Sequence, residues 1–133
     1  MEAEPLLISA CLLGVPCPYN ARLAARRLDP ALLERLAGRL VPVCPEQLAG
    51  LPTPRKPVEI QGGDGFDALA GRAVVKSEDG EDFTAAFIRG AHITLALART
   101  LKAGAMVTQR RSPSCSSNGV YDGTFQHRLR EGC

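Results

Sequence analysis

Three of the five cysteines each follow a short apolar segment that is typical of a buried β-strand. The segments span residues 6–10, 40–43 and 105–109, and the cysteines that follow them are Cys11, Cys44 and Cys115. In an open parallel sheet, ligands bind in the crevice at the carboxyl ends of the strands. If these strands share one sheet, three thiols from distant parts of the chain meet at that edge, and the function must explain their meeting.

Predicted helices alternate with these strands. Asp29 and Pro30 are typical of the N-cap and first position of a short helix whose leucines recur at three- and four-residue spacing. Residues 84–103 form the strongest helical pattern, with Thr84 as its cap and Gly104 just past its end. Gly90, in the middle, costs this helix about 1 kcal/mol relative to alanine. The alternation predicts βαβ units, and therefore an α/β chain with a mostly parallel sheet.

The segments between these elements are short. Three prolines predict a stiff extended loop over residues 51–57, and glycines predict a flexible turn over residues 61–65. Residues 72–76 are a predicted strand or hairpin arm. A chain of 133 residues is expected to fold as a single domain that covers residues 1–133.

Composition narrows the classes of protein that the chain can represent. No apolar run approaches the roughly 18–20 residues that a membrane span needs, and Glu2 and Glu4 stand where a secretory signal has basic residues. We therefore expect a cytoplasmic protein without a membrane partner. Thiols stay reduced in that compartment, so grouped cysteines indicate metal binding or catalysis rather than disulfides. The net charge of +2 is not typical of a dedicated nucleic-acid surface.

The cysteine spacing leaves several interpretations open. Cys11 and Cys17 do not form a Cys-x-x-Cys pair, so neither a thioredoxin-like site nor a zinc ribbon is indicated. Thiolates hold iron–sulfur clusters, and three of them would leave one iron of a cubane cluster open to act as a Lewis acid. Free cysteine also packs as a small apolar residue, which is the plainer alternative for each one alone. Cys17 is a fourth ligand, a pocket residue or merely a neighbour.

Three groups of motifs carry a resemblance to a known family. The first is residues 9–14 (Ser-Ala-Cys-Leu-Leu-Gly) with 17–20 (Cys-Pro-Tyr-Asn), and the second is 41–46 (Val-Pro-Val-Cys-Pro-Glu) with 50–55 (Gly-Leu-Pro-Thr-Pro-Arg). The third is 111–115 (Arg-Ser-Pro-Ser-Cys) with 121–125 (Tyr-Asp-Gly-Thr-Phe). In this order, and over nearly the whole chain, they resemble the thiouracil desulfidase (TudS-like) family, formerly a domain of unknown function.

The resemblance implies a fold, a cofactor and a reaction. The implied fold is a Rossmann-like three-layer αβα arrangement, and the implied cofactor is a [4Fe-4S] cluster with Cys11, Cys44 and Cys115 as ligands. Cys17 matches a fourth common cysteine that lies near the cluster without coordinating it. The implied enzyme is a non-redox desulfidase that hydrolyses the C–S bond of 2-thiouracil or a related thiolated nucleobase. The open iron acts as a Lewis acid on the thiocarbonyl sulfur, and sulfide is released.

Similar chains differ from this one at three places. They continue past residues 121–125 with a further helix and strand, so a C-terminal part is expected to be missing here. They usually carry a lysine where this chain has Gln109, and a glycine where it has Ser116. An altered lysine is expected to weaken substrate binding or charge stabilisation.

The polar residues of the matching motifs are the candidate catalytic and substrate-binding groups. Glu46, two residues after a predicted ligand, is the candidate general base, and Ser112 is the second catalytic candidate. Ser9, Asn20 and Ser114 are predicted to bind the substrate. The plainer interpretation is a solvated loop carboxylate for Glu46 and polar turn groups for the others.

Other functions stay open on the sequence. One is a structural zinc site formed by the four cysteines already named; others are a non-enzymatic iron–sulfur protein that relays sulfur, and a truncated, inactive family member. The predicted partner is a small thiolated pyrimidine, and a thiolated tRNA carries the same thiocarbonyl but is not indicated by the weak charge. A missing strand would leave a sheet edge open, which favours pairing into a homo-oligomer.

Overall fold

The computed structural model describes residues 3–17, 20, 28–109, 111–116 and 119–132. Short strands alternate with helices along the chain, and a 3₁₀ turn (Ala10–Leu13) follows the first strand. The elements in chain order are β1 (Leu6–Ser9), α1 (Pro30–Leu36), β2 (Leu40–Val43), α2 (Pro45–Leu48), β3 (Val58–Gln61), α3 (Gly65–Leu69), β4 (Val74–Ser77), α4 (Thr84–Leu101), β5 (Ala105–Val107), β6 (Val120–Tyr121) and β7 (Leu129–Arg130).

A three-stranded parallel sheet forms the centre of the fold. Its strand order is β2-β1-β5, with Leu6 beside Leu40 on one side and beside Ala105 on the other. Ile8 in the central strand is completely buried, which explains why that strand is apolar up to Ser9. The predicted α/β class, with a three-layer αβα arrangement around a parallel sheet, is confirmed.

Antiparallel pairs lie outside the parallel sheet. β3 pairs with β4, and β6 pairs with β7. The predicted strand at residues 72–76 corresponds to β4, but β3 was not predicted. Its Val-Glu-Ile-Gln sequence has no apolar run, and one of its two polar side chains, Glu59, is buried rather than exposed.

The predicted flexible turn at residues 61–65 is only partly correct because α3 begins at Gly65. Asp64 and Asp67 form a capping box in which each side chain accepts a hydrogen bond from the other's backbone N–H, at 3.2 and 3.0 Å. The usual signature of this motif has Glu or Gln at the second position. Asp67 stands there instead, so the start of α3 was not predicted.

The long helix α4 begins at the predicted residue, but both predicted caps are wrong. The Thr84 hydroxyl accepts a hydrogen bond from the Val75 backbone N–H of β4, at 2.8 Å, and the Asp82 side chain accepts from the Thr84 N–H instead. At the other end, Lys102 rather than Gly104 takes the left-handed conformation, with φ of 54°. Within the part of the chain that the structure describes, no helix is long and apolar enough to cross a membrane.

Gly90 is where α4 lies closest to α2. It is the one buried residue of the helix, and a Cβ atom there would overlap the Pro45 carbonyl group and lie 3.3 Å from the Ala49 side chain. The glycine therefore permits the two helices to touch. This contact fixes the position of α2, which follows Cys44 and carries Glu46.

Candidate active site

A cavity of about 620 Å³ opens at the carboxyl end of the parallel sheet. β2 and β5 lie on opposite sides of β1 and both run parallel to it, so the strand order switches sides at β1. Such a switch point is the usual ligand site of an open α/β sheet, and the volume is typical of a small-molecule site. Every side chain predicted to belong to the site lines this cavity: Ser9, Cys11, Cys17, Asn20, Cys44, Glu46, Ser112, Ser114 and Cys115.

Each of the three predicted ligand cysteines is positioned by a different connection. Cys11 lies in the 3₁₀ turn after β1, and Cys44 is the N-cap residue between β2 and α2. Cys115 lies in a turn after β5, where its backbone N–H donates to the Ser112 carbonyl at 3.4 Å. The four described cysteines form no disulfide.

The thiols are close enough to influence one another. Burial raises the pKa of Cys11, and its neighbours Cys115 and Cys44 raise it further because three thiolates would repel. Burial also raises the pKa of Cys115. Cys17 is buried beside Cys44 and Cys11, and these effects raise its pKa to about 12. These effects favour neutral thiols, and a bound cation would have to displace their protons.

The cysteines of the cavity are compatible with an iron–sulfur cluster. No three His, Cys, Asp or Glu side chains of the described residues are arranged to hold one metal ion. A structural zinc needs such an arrangement, because its ligands surround one point. In a cubane cluster each thiolate bonds a different iron, so the sulfurs need not share a centre. Cys11, Cys44 and Cys115, all free of disulfides and on one cavity, meet that weaker requirement.

Glu46 forms a buried ion pair with Arg55. The Arg55 Nε donates to Glu46 Oε2 at 2.5 Å, and a second guanidinium nitrogen contacts the same oxygen. Arg55 also donates to the Cys17 carbonyl at 2.9 Å and to the Thr53 hydroxyl at 2.9 Å. One guanidinium thus joins the predicted base to the loop that carries Cys17.

Ser114 connects Glu46 to the cysteines. Its hydroxyl lies 3.3 Å from Glu46 Oε1 and 3.7 Å from the Cys115 sulfur. The Ser112 hydroxyl is 3.2 Å from that of Ser114 and accepts the Ser114 backbone N–H at 3.3 Å. The two serine hydroxyls therefore stabilise the turn before Cys115 and also contact other polar groups of the site.

Ser9 and Asn20 occupy different depths of the cavity. Ser9 is almost fully buried, and its hydroxyl accepts a hydrogen bond from the Gln109 backbone N–H at 3.0 Å. The side-chain oxygen of Gln109 lies 3.9 Å from the Cys11 sulfur. Asn20 is exposed at the rim. The substrate-binding roles of Ser9 and Asn20 stay predictions.

Sequence reasoning missed two charged residues of the site. Arg55 was recognised only as the end of a motif, although a buried carboxylate such as Glu46 requires a compensating charge. Glu59 was missed with its strand, and it too lines the cavity. No local pattern signals Glu59, because the groups that it binds are 64 and 66 residues away.

Comparison with known proteins decides the family. The sequence profile described as 2-thiouracil desulfurase matches residues 6–133. The chain belongs to the 2-thiouracil desulfurase family. The resemblance drawn from the motifs is therefore confirmed, and the matched region contains every candidate residue of the cavity.

Two relatives show how widely the similarity extends. The protein described as "Uncharacterized protein YbbK" from Bacillus subtilis (strain 168) is 42% identical over 127 residues, which cover 96% of this chain and 83% of that protein. A solved structure, described as the [4Fe-4S]-dependent thiouracil desulfidase TudS (DUF523Vcz), matches with a TM-score of 0.83 at 35% identity. That match covers 98% of this chain and 80% of the solved one. The 2-thiouracil desulfurase fold thus extends over nearly all of this chain.

Proposed function

We propose that this protein desulfurises 2-thiouracil or a related thiolated pyrimidine by hydrolysis, with a [4Fe-4S] cluster held by Cys11, Cys44 and Cys115. The observation that carries the proposal is the shared cavity of these three cysteines in a member of the 2-thiouracil desulfurase family. In the reaction, one water replaces sulfur at the thiocarbonyl carbon. The products are the oxygenated base and hydrogen sulfide, so atoms and electrons balance without a reductant.

The cluster and Cys17 have different roles in the proposed reaction. When bound, the cluster supplies an iron without a protein ligand, a Lewis acid suited to a soft thiocarbonyl sulfur. Cys17 stays outside the ligand set and contributes to the lining of the cavity, where it is only 3% exposed.

Glu46 is the proposed general base for the attacking water. Arg55 occupies Oε2, so the proton goes to Oε1, the oxygen that Ser114 approaches to 3.3 Å. Ser114 also lies 3.7 Å from the Cys115 sulfur, which places one hydroxyl between the base and the ligand side of the cavity. Through that hydroxyl the proton can return to the departing sulfur.

The alternatives are less well supported. The structural-zinc hypothesis lacks a suitable ligand group among the described residues. A sulfur-relay role leaves the Glu46–Ser114 contact without a use. Cytoplasmic location, a single domain over residues 1–133 and a homo-oligomeric state stay predictions, and a tRNA substrate stays an alternative that the sequence does not indicate.

The test is turnover by anaerobically reconstituted protein in water labelled with oxygen-18. We expect uracil labelled at the carbonyl that replaces sulfur, with one hydrogen sulfide per uracil. Glu46→Gln should retain the brown cluster and lose roughly 10²–10⁴-fold in turnover, as is typical for removal of a general base. Glu78→Gln is the matched control, because Glu78 is an exposed carboxylate on the same cavity. Unlabelled uracil, or full turnover by Glu46→Gln, would contradict the mechanism.

A further inference from the structure

Aromatic side chains are concentrated on the cavity. The chain has four phenylalanines, two tyrosines and no tryptophan, and Phe83, Phe87, Tyr121 and Phe125 all line this cavity. Phe83 and Phe87 also pack on the apolar core of β3 and β4. Tyr121 and Phe125 instead belong to β6 and the turn that follows it. Together with His127, which also lines the cavity, they are called the aromatic wall below.

A buried carboxylate fastens the aromatic wall to β3. Glu59 Oε1 accepts the backbone N–H of Gly123 at 3.0 Å and that of Phe125 at 3.2 Å. Gln61 adds a hydrogen bond from its side-chain amide to the Gly123 carbonyl, at 3.1 Å. Gly123 has φ of 91°, and a Cβ atom there would lie 2.8 Å from the Ile60 carbonyl oxygen. The turn therefore lies directly on the strand, which only glycine permits.

The rings of the aromatic wall are held in a restricted geometry. Phe125 has φ of 60°, in a region that bulky residues rarely adopt and that is retained mostly at ligand sites. The hydrogen bond from its N–H to Glu59 holds this conformation in place. Tyr121 meets His127 edge to face, with centroids 5.6 Å apart and planes at 79°, which restricts the tyrosine ring. Rigid aromatic faces bind planar ligands with little loss of conformational entropy.

We infer that the aromatic wall is the base-recognition surface of the cavity, with Tyr121 and Phe125 as specificity-determining residues that stack on the planar pyrimidine ring. Glu59 is the positioning residue that holds the turn with Phe125 in place. The inference rests on the proposed function for the identity of the ligand. It requires a flat, conjugated ring in the substrate in addition to a thiocarbonyl.

The test compares the binding of two ligands that differ in planarity. Uracil and dihydrouracil present the same carbonyl and N–H groups and carry no sulfur, so neither reacts, but only uracil has a flat conjugated ring. Calorimetric titration of the reconstituted protein should show a clear preference for uracil. Phe125→Leu and Tyr121→Leu should each weaken uracil binding by at least about 5-fold, the lower end of base–aromatic stacking, and leave dihydrouracil almost unchanged.

Two further variants separate positioning from general damage. Glu59→Ala removes the acceptor for both backbone N–H groups and should lose the preference for uracil, whereas Glu59→Gln keeps an acceptor oxygen and should recover most of it. Phe66→Leu is the matched aromatic control, since Phe66 is 67% exposed on α3 and does not line this cavity. It should bind both ligands as the wild type does.

The outcomes distinguish this inference from the proposed function. Equal affinity of the wild type for the two ligands, or an unchanged preference in both leucine variants, would overturn the inference even if 2-thiouracil is desulfurised. Selective uracil binding that Phe125→Leu abolishes would support it even if no desulfurisation is found.

Discussion

Arg55 is the charged partner of the proposed general base Glu46. Its side chain and that of Glu46 are only 7% and 10% exposed, so the pair is held away from water. Each charge compensates the other, and the loss of one partner leaves a buried charge unpaired. The same guanidinium binds the Cys17 carbonyl, so the positions of Glu46 and of the loop that contains Cys17 are coupled.

Replacing Arg55 should therefore affect stability and catalysis together. Arg55→Gln should lower the free energy of unfolding by about 3–5 kcal/mol, the usual cost of breaking a buried ion pair, and reduce turnover. Arg55→Lys keeps the charge but not the fork that reaches both Glu46 and Cys17, so its loss should be intermediate. Urea unfolding of both variants checks this, and a loss below about 1 kcal/mol for Arg55→Gln, within the range of exposed pairs, would contradict it.

Cys17 should make the cluster-free protein sensitive to alkali. Its pKa is raised from 9.0 to about 12, chiefly by burial. Well below pH 9 the thiol is protonated in both states, and its contribution to stability is complete. Above that, the unfolded chain loses the proton and the folded protein keeps it, so the free energy of unfolding falls as pH rises toward 12.

The comparison of wild type with Cys17→Ala isolates this effect. Urea unfolding at about pH 8 and about pH 10.5 should show a larger alkaline loss in the wild type, because alanine has no proton to release. The cavity left by alanine lowers stability equally at both pH values and cancels in the difference. An identical alkaline loss in the two proteins would mean that Cys17 titrates normally.

At the next scale, the contact between α2 and α4 sets where the site residues lie. α2 is a single turn, and its position depends on the close approach of Pro45 to Gly90. By helix propensity alone, Gly90 costs the helix about 1 kcal/mol relative to alanine. The structure reverses that interpretation, because a side chain at this position would push α2, and Glu46 with it, away from the cavity.

Gly90→Ala should accordingly destabilise the protein although alanine is the better helix former. We expect a net loss of about 1–3 kcal/mol from overpacking and a drop in turnover as Glu46 moves. Ala85→Gly, at an exposed position of the same helix, measures propensity alone and should cost about 1 kcal/mol with turnover intact. Thermal unfolding measures the stability of both variants. A Gly90→Ala protein that is more stable than the wild type would refute the packing argument.

Elements that carry a strong local signal could be predicted, and those that depend on distant contacts could not. The Asp29 cap follows from capping chemistry, and the parallel strands and the start of α4 follow from apolar patterning, although the predicted cap of α4 was wrong. β3 could not be found, because its buried Glu59 is explained only by a turn more than 60 residues away. The helix α2 was missed because its four residues are too few to show a period.

For the whole molecule, the convergence of the cysteines follows from topology alone. The residues that follow parallel strands lie at the same edge of the sheet. Three such strands, each followed by a cysteine, therefore predict one site from the sequence alone. The other residues of the site cannot be predicted from the topology in this way. Arg55, Glu59 and the aromatic wall reach the cavity from the second sheet and from loops, and no rule of spacing connects them to the cysteines.

The central claim is that Cys11, Cys44 and Cys115, and not Cys17, hold a cubane iron–sulfur cluster. Iron and acid-labile sulfide should be counted after anaerobic reconstitution of the wild type and of the four single alanine variants. The account predicts about four iron and four sulfide ions per chain in the wild type and in Cys17→Ala, and loss of both in the other three. Normal iron in Cys11→Ala, Cys44→Ala and Cys115→Ala, or zinc in place of iron and sulfide, would contradict it.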